Sequence, residues 1–137
     1  MSTVIEQSVQ ARLITTHPGG PDVPVVLRYD ATDPFAVRMT FPPAATLDGD
    51  AVSWVFARDL LDEGLAGEGC GAGDVRVRPY GFGRTVLEFH AEGGAAMVHV
   101  RTAELRGFLD LTVGLVPVGE EAVHLGLDRE LAELLRG

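Results

Sequence analysis

The sequence contains no lysine and no asparagine, and only two isoleucines, Ile5 and Ile14. Its eleven bases are all arginine. The missing residues are those with AT-rich codons, so the pattern reflects a high-GC genome and not a demand of the fold. A single cysteine, Cys70, excludes an intrachain disulfide. No apolar run approaches the roughly 20 residues of a membrane span. Met1-Ser2-Thr3-Val4-Ile5-Glu6 lacks the basic and apolar regions of a signal peptide. The expectation is a cytoplasmic protein without membrane insertion.

Twenty acids against eleven bases give a net charge of −9. That balance opposes general binding to nucleic acid or to an anionic membrane, both of which need a basic surface. What is present suits one domain over residues 1–137: 46% apolar residues supply a core, and 23% charged residues are ordinary for a soluble protein.

The stretch from Val52 to Pro79 organises the chain. Val52, Trp54 and Phe56 alternate with Ser53, Val55 and Ala57, the period of a strand with one apolar face. From Ala57 the spacing becomes helical. Ala57, Leu60, Leu61 and Leu65 recur on one side, with Arg58, Asp59, Asp62 and Glu63 between them. Gly64 and Gly67 are placed to stop the helix in a left-handed conformation. Gly69, Gly71 and Gly73 follow, then Asp74, and Val75 and Val77 resume strand alternation.

Upstream, the spacing predicts a strand over about Val4 to Thr15. A turn follows at His17–Asp22, then a strand faced by Val23, Val25, Leu27 and Tyr29. After Asp30–Pro34, Phe35, Val37, Met39 and Phe41 line a third strand that Pro42-Pro43 ends. Downstream, close spacing predicts an antiparallel hairpin from about Thr85–His90 and Ala95–Arg101. Thr102 reads as an N-cap. Leu105, Phe108, Leu109, Thr112 and Val116 mark one face of a helix closed by Pro117. Asp128 reads as the cap of a last short helix with Leu131, Leu134 and Leu135 on its apolar side. Strands first and the longer helix last is an α+β order: about seven mostly antiparallel strands, a short helix after the fourth, and helices at the C-terminus. The two strongest apolar stripes, Trp54–Phe56 and Leu105–Phe108–Leu109, are expected to cover each other.

Candidate chemistry is sparse. The Gly67–Gly73 run follows a helix and opens a strand, the reverse of a phosphate loop. His90 and His99 lie on neighbouring predicted strands, but no paired metal-ligand spacing accompanies them or Cys70. His17 and His124 fall in predicted loops. Asp59, Asp62 and Glu63 read as the solvated face of a short helix. No nucleophile elbow is present. The reading is therefore a protein without catalytic residues, cofactor or metal.

Arg38, Arg76 and Arg78 fall opposite the apolar faces of predicted strands, and Arg28 is placed to join them. If those strands are neighbours, the chain carries a local arginine face. Guanidinium groups fork onto carboxylates, so such a face suits an acidic partner. The alternative is that each arginine pairs with an Asp or Glu of the same sheet.

Three segments carry a family resemblance. They are Tyr29-Asp30-x-x-Asp33-Pro34-Phe35-Ala36-Val37, then Trp54-x-Phe56-Ala57-Arg58-Asp59-Leu60-Leu61-x-x-Gly64 with Gly71-x-Gly73-Asp74-Val75, and Phe108-Leu109-x-x-Thr112 running to Val116-Pro117-x-Gly119-x-Glu121. Together they resemble the SsgA-like proteins of actinomycetes, over nearly the whole chain. One departure is His90-Ala91-Glu92-Gly93-Gly94, where the family often has a Ser-Pro turn. The resemblance implies a small, non-catalytic protein of sporulation-specific cell division that concentrates at division septa. Its SsgB-type branch, the preferred reading here, is linked to recruitment of FtsZ. The resemblance further implies a Whirly-like trimer. A single-stranded nucleic-acid binding protein of that fold is the runner-up, and a hydrolase comes third.

Overall fold

The computed structural model describes residues 3–14, 22–43, 49–66, 74–92, 94–126 and 134. Among them seven strands form one antiparallel sheet: β1 (Val4–Leu13), β2 (Asp22–Asp30), β3 (Ala36–Phe41), β4 (Val52–Ala57), β5 (Val75–Pro79), β6 (Arg84–Ala91) and β7 (Gly94–Arg101). Helix α1 (Arg58–Leu65) follows β4, and α2 (Thr102–Leu115) follows β7. Residues 121–126 add a short helix, α3. This is the α+β class that the sequence predicts. No described helix is long and apolar enough to cross a membrane.

The strand order is β4-β3-β2-β1-β7-β6-β5. Two meanders are therefore joined by β1 against β7, through Ala11–Leu13 and Val98–Val100. Alternation decides which side is core. Val23, Val25, Leu27 and Tyr29 of β2 are buried as predicted, and so are Val37, Met39 and Phe41 of β3. The registers keep that face continuous, through pairs such as Val9↔Val25, Ala11↔Val100 and Leu87↔Val98.

Right-handed twist curls the sheet onto its apolar face. Phe41 of β3 meets Phe89 of β6 edge-on, with ring centroids 5.4 Å apart. Trp54 of β4 lies 5.3 Å from the same ring. Strands far apart in the order thus touch across the core, so the sheet is nearly closed. α2 closes one side with Leu105, Phe108, Leu109 and Thr112, followed by Val116, all of them buried.

Several expectations need correction. α2 rests on α1, β1 and β7, while half-buried Trp54 packs on Phe89; the two strongest stripes do not simply cover each other. Phe35 precedes β3 and is exposed. Thr102 does not cap α2. The cap position falls to Arg101 without a side-chain bond, and the Thr102 hydroxyl pairs with that of Thr85 at 2.8 Å. Gly64 does not stop α1 with a left-handed turn; it lies inside the helix, where a Cβ would clash with Cγ1 of Val77. His124 lies in α3 and not in a loop. The turn at residues 17–21, Cys70, the glycine run 67–73 and the cap at Asp128 lie outside the described residues. Leu134 is described, and it is exposed.

Candidate functional site

Among the described residues, the densest cluster of polar contacts is buried. Arg58 is the first residue of α1 and only 2% exposed, although helical spacing places it among the polar positions. Its backbone N–H donates to the Phe35 carbonyl at 2.8 Å. Its guanidinium passes over the Tyr29 ring, 5.1 Å from the centroid. Nη1 donates to the carbonyls of Thr112 at 3.1 Å and Val116 at 2.7 Å, and Nη2 donates to Oε1 of Glu121 at 2.8 Å. The arginine thus satisfies carbonyls at the C-terminal end of α2, where the helix dipole favours a cation.

Each partner is held in turn. The Tyr29 hydroxyl donates to the Pro34 carbonyl at 2.8 Å. Burial pushes its pKa up to about 12, so it remains a neutral donor. Asp30 Oδ1 accepts from the backbone N–H of Thr32 at 2.9 Å, an Asx turn that shapes the approach to Pro34. Glu121 Oε1 also accepts the N–H of Gly119 at 2.8 Å. That hydrogen bond, together with Arg58, holds the Glu121 carboxyl below its usual range. Gly119 has φ +94°, a backbone that a side chain disfavours. The three segments quoted above, around Tyr29, Arg58 and Glu121, therefore meet at one clamp.

The other candidates spread over the sheet. Arg38 of β3 stands opposite Arg28 of β2 in register. The two line an open cleft of about 400 Å³ with Asp30, Asp33, Ala36, Val37 and Val55. Arg28 pairs with Glu6 at 3.0 Å, whereas Arg38 has no ion-pair partner among the described residues. Arg76 and Arg78 lie on β5, with β2, β1, β7 and β6 between them and Arg38. Arg78 donates to Glu88 at 2.8 Å. Pairing within the sheet thus accounts for Arg28 and Arg78, and not for Arg38 or Arg76.

Trp54 and Phe56 contribute to the core. Asp59 is exposed in the first turn of α1, where a negative charge is favourable. Asp74 accepts the His90 N–H at its backbone carbonyl, at 2.7 Å. Gly73 lies outside the described residues. His90 stands opposite Ala95, and His99 opposite Val86, which separates the two histidines by about 13 Å along the strands. Among the described residues no group of three or more His, Cys, Asp or Glu could hold a metal ion.

Sequence spacing did not identify the clamp, because its parts are 29, 58 and 121 along the chain. The one available signal was that each quoted segment carries a polar residue beside apolar ones.

Comparison with known proteins follows the same segments. The family described as "Streptomyces sporulation and cell division protein, SsgA" matches residues 23–121. A Streptomyces coelicolor protein named sporulation-specific cell division protein SsgB is 39% identical over 98% of each chain. A protein of the same name from Kineococcus radiotolerans is 40% identical over 97% of this chain and 81% of its own. A solved SsgA-like sporulation-specific cell division protein from Thermobifida fusca superposes with TM-score 0.79 at 36% identity, covering 97% of this chain and 98% of its own.

Proposed function

This chain belongs to the SsgA family of sporulation and cell division proteins, and from that premise we propose that it acts in sporulation-specific cell division as a non-catalytic docking protein. It helps to position or recruit FtsZ at septation sites. It works in the cytoplasm as a single-domain protein over residues 1–137, assembled as a trimer of Whirly-like architecture. The outer arginines Arg38, Arg76 and Arg78 contribute to the partner surface.

The observation that carries a binding role over a catalytic one is the use made of Tyr29, Arg58 and Glu121. The charged residues of the family segments that are buried, Arg58 and Glu121, bind each other and the backbone. They hold α1, α2 and α3 together. Such a clamp builds a rigid platform and leaves the outer sheet face for recognition.

Deleting the gene in its own host tests the role. The expected result is loss of sporulation septa with vegetative growth retained. Normal sporulation septation in the deletion strain would overturn it. Light scattering of the purified protein should report three copies, and a monomer across micromolar concentrations would remove the trimer.

A further inference from the structure

The outer face of β5, β6, β7 and β1 concentrates cations in a protein of net charge −9. The registers align Arg12, His99, Val86 and Arg78 in one row across the four strands. In the next row Arg101 stands directly opposite Arg84, and the Tyr80 N–H donates to the Arg84 carbonyl. Arg76 lies two residues before Arg78 on the same face. Two carboxylates answer these arginines: Asp22 binds Arg12 at 3.1 Å and Glu88 binds Arg78 at 2.8 Å. Arg76, Arg84 and Arg101 have no ion-pair partner among the described residues. Like charges directly opposite across two strands destabilise the pair. Asp22, bound to Arg12, is close enough to Arg84 to feel its charge, so the chain offsets part of that cost and a bound anion would offset the rest.

Aromatic groups border the patch. Tyr80 stacks on His99 with centroids 5.0 Å apart. Phe82 is fully exposed at the tip of the β5–β6 hairpin, between Gly81 at φ +63° and Gly83 at φ +74°. Those two left-handed residues hold the ring out from the sheet.

We propose that this face is a docking surface for an extended, carboxylate-rich segment of a protein partner. The inference rests on the docking role above, since Arg76 and Arg78 are common to both. Spacing supports the choice of occupant. Arg76 and Arg78 are two residues apart, about 6.6 Å, which is also the spacing of alternate side chains in an extended peptide. Guanidinium forks match carboxylates in bidentate geometry. Phe82 and the Tyr80–His99 stack offer apolar contact to the side chains between the acids. A peptide confines its charge to the patch. A polynucleotide strand would carry its phosphates on, over an acidic protein surface.

Fluorescence polarisation with a labelled ten-residue peptide alternating Glu and Val tests the proposal, and requires no FtsZ. Comparison probes are the same peptide with Gln for Glu and a ten-nucleotide oligothymidine. The wild-type protein should bind the Glu peptide, more weakly as salt rises, and bind neither comparison probe as tightly. Arg84→Ala with Arg101→Ala should weaken binding at least about tenfold with an unchanged circular dichroism spectrum. Arg106→Ala, on α2 beside the Leu65 carbonyl, should leave it unchanged. Failure of the folded wild type to bind the Glu peptide at low salt would overturn the proposal. So would equal binding by the folded double variant, or tighter binding of oligothymidine. FtsZ binding without peptide binding would overturn this surface and leave the docking role standing.

Discussion

Arg58 and Glu121 are 63 positions apart in the chain and 2.8 Å apart in the fold. Both are almost completely buried. A buried pair of this kind is costly to desolvate, and its removal as a unit is often tolerated, but breaking it leaves one charge uncompensated. Here the arginine also serves two carbonyls, so its loss strips the end of α2 as well as the carboxylate.

Arg58→Met should therefore cost about 3–5 kcal/mol, and Glu121→Gln a similar amount. The double variant Arg58→Met/Glu121→Leu should recover only part of the loss, because the Thr112 and Val116 carbonyls stay without their donor. Urea denaturation midpoints check the order. Single variants as stable as the wild type would show that the clamp does not hold the helices.

Glycines separate close packing from simple helix propensity. Gly64→Ala forces a methyl into Val77 and should destabilise by about 1–3 kcal/mol. Gly107→Ala, inside α2 with nothing within 4 Å of the added carbon, should stabilise by about 0.5–1 kcal/mol. Thermal midpoints that move in the same direction for both would contradict the assigned packing of α1 on β5.

Acid should weaken the fold by two routes with the same sign. The Gly119 N–H and Arg58 lower the Glu121 pKa from 4.5. Its contribution is present above that value and is lost as pH falls through the lower folded pKa. Burial, with Arg84 and Arg12 nearby, lowers the His99 pKa from 6.5. The folded state therefore favours neutral imidazole, and stability declines as pH drops below 6.5. His99→Gln should flatten urea midpoints below pH 6.5, and Glu121→Gln should flatten them below pH 4.5. A stability that rises on acidification would contradict both assignments.

Legibility in the sequence followed range. Tyr29 and its alternating neighbours, and the Leu105–Thr112 face, were readable because local periodicity fixes which side is buried. The α+β order was readable for the same reason. The burial of Arg58 was not, because its neighbours in α1 are polar and its partners arrive from elsewhere in the chain. Gly64 has an unremarkable helical backbone, so its role as a contact on Val77 has no local signal. Arg38, Arg76 and Arg78 share a strand parity, but parity does not give strand order. Pairing of β1 with β7 carries Arg12 to His99, and hairpins carry Arg76 and Arg78 away from Arg38. The segments around Tyr29, Trp54 and Glu121 that carry the resemblance contain the clamp residues, but nothing within any one segment shows that they touch.

Co-sedimentation with purified FtsZ polymers tests the central claim most directly. The wild-type protein should pellet with FtsZ. The pelleted fraction should fall as salt rises, because exposed charge pairs are screened beyond a Debye length of ~8 Å at physiological ionic strength. Arg76→Glu with Arg78→Glu should lower the fraction while circular dichroism reports an intact fold. Undiminished pelleting by that variant would remove these arginines from the surface and keep the partner. A wild-type protein that stays in the supernatant at every salt concentration would contradict direct FtsZ binding.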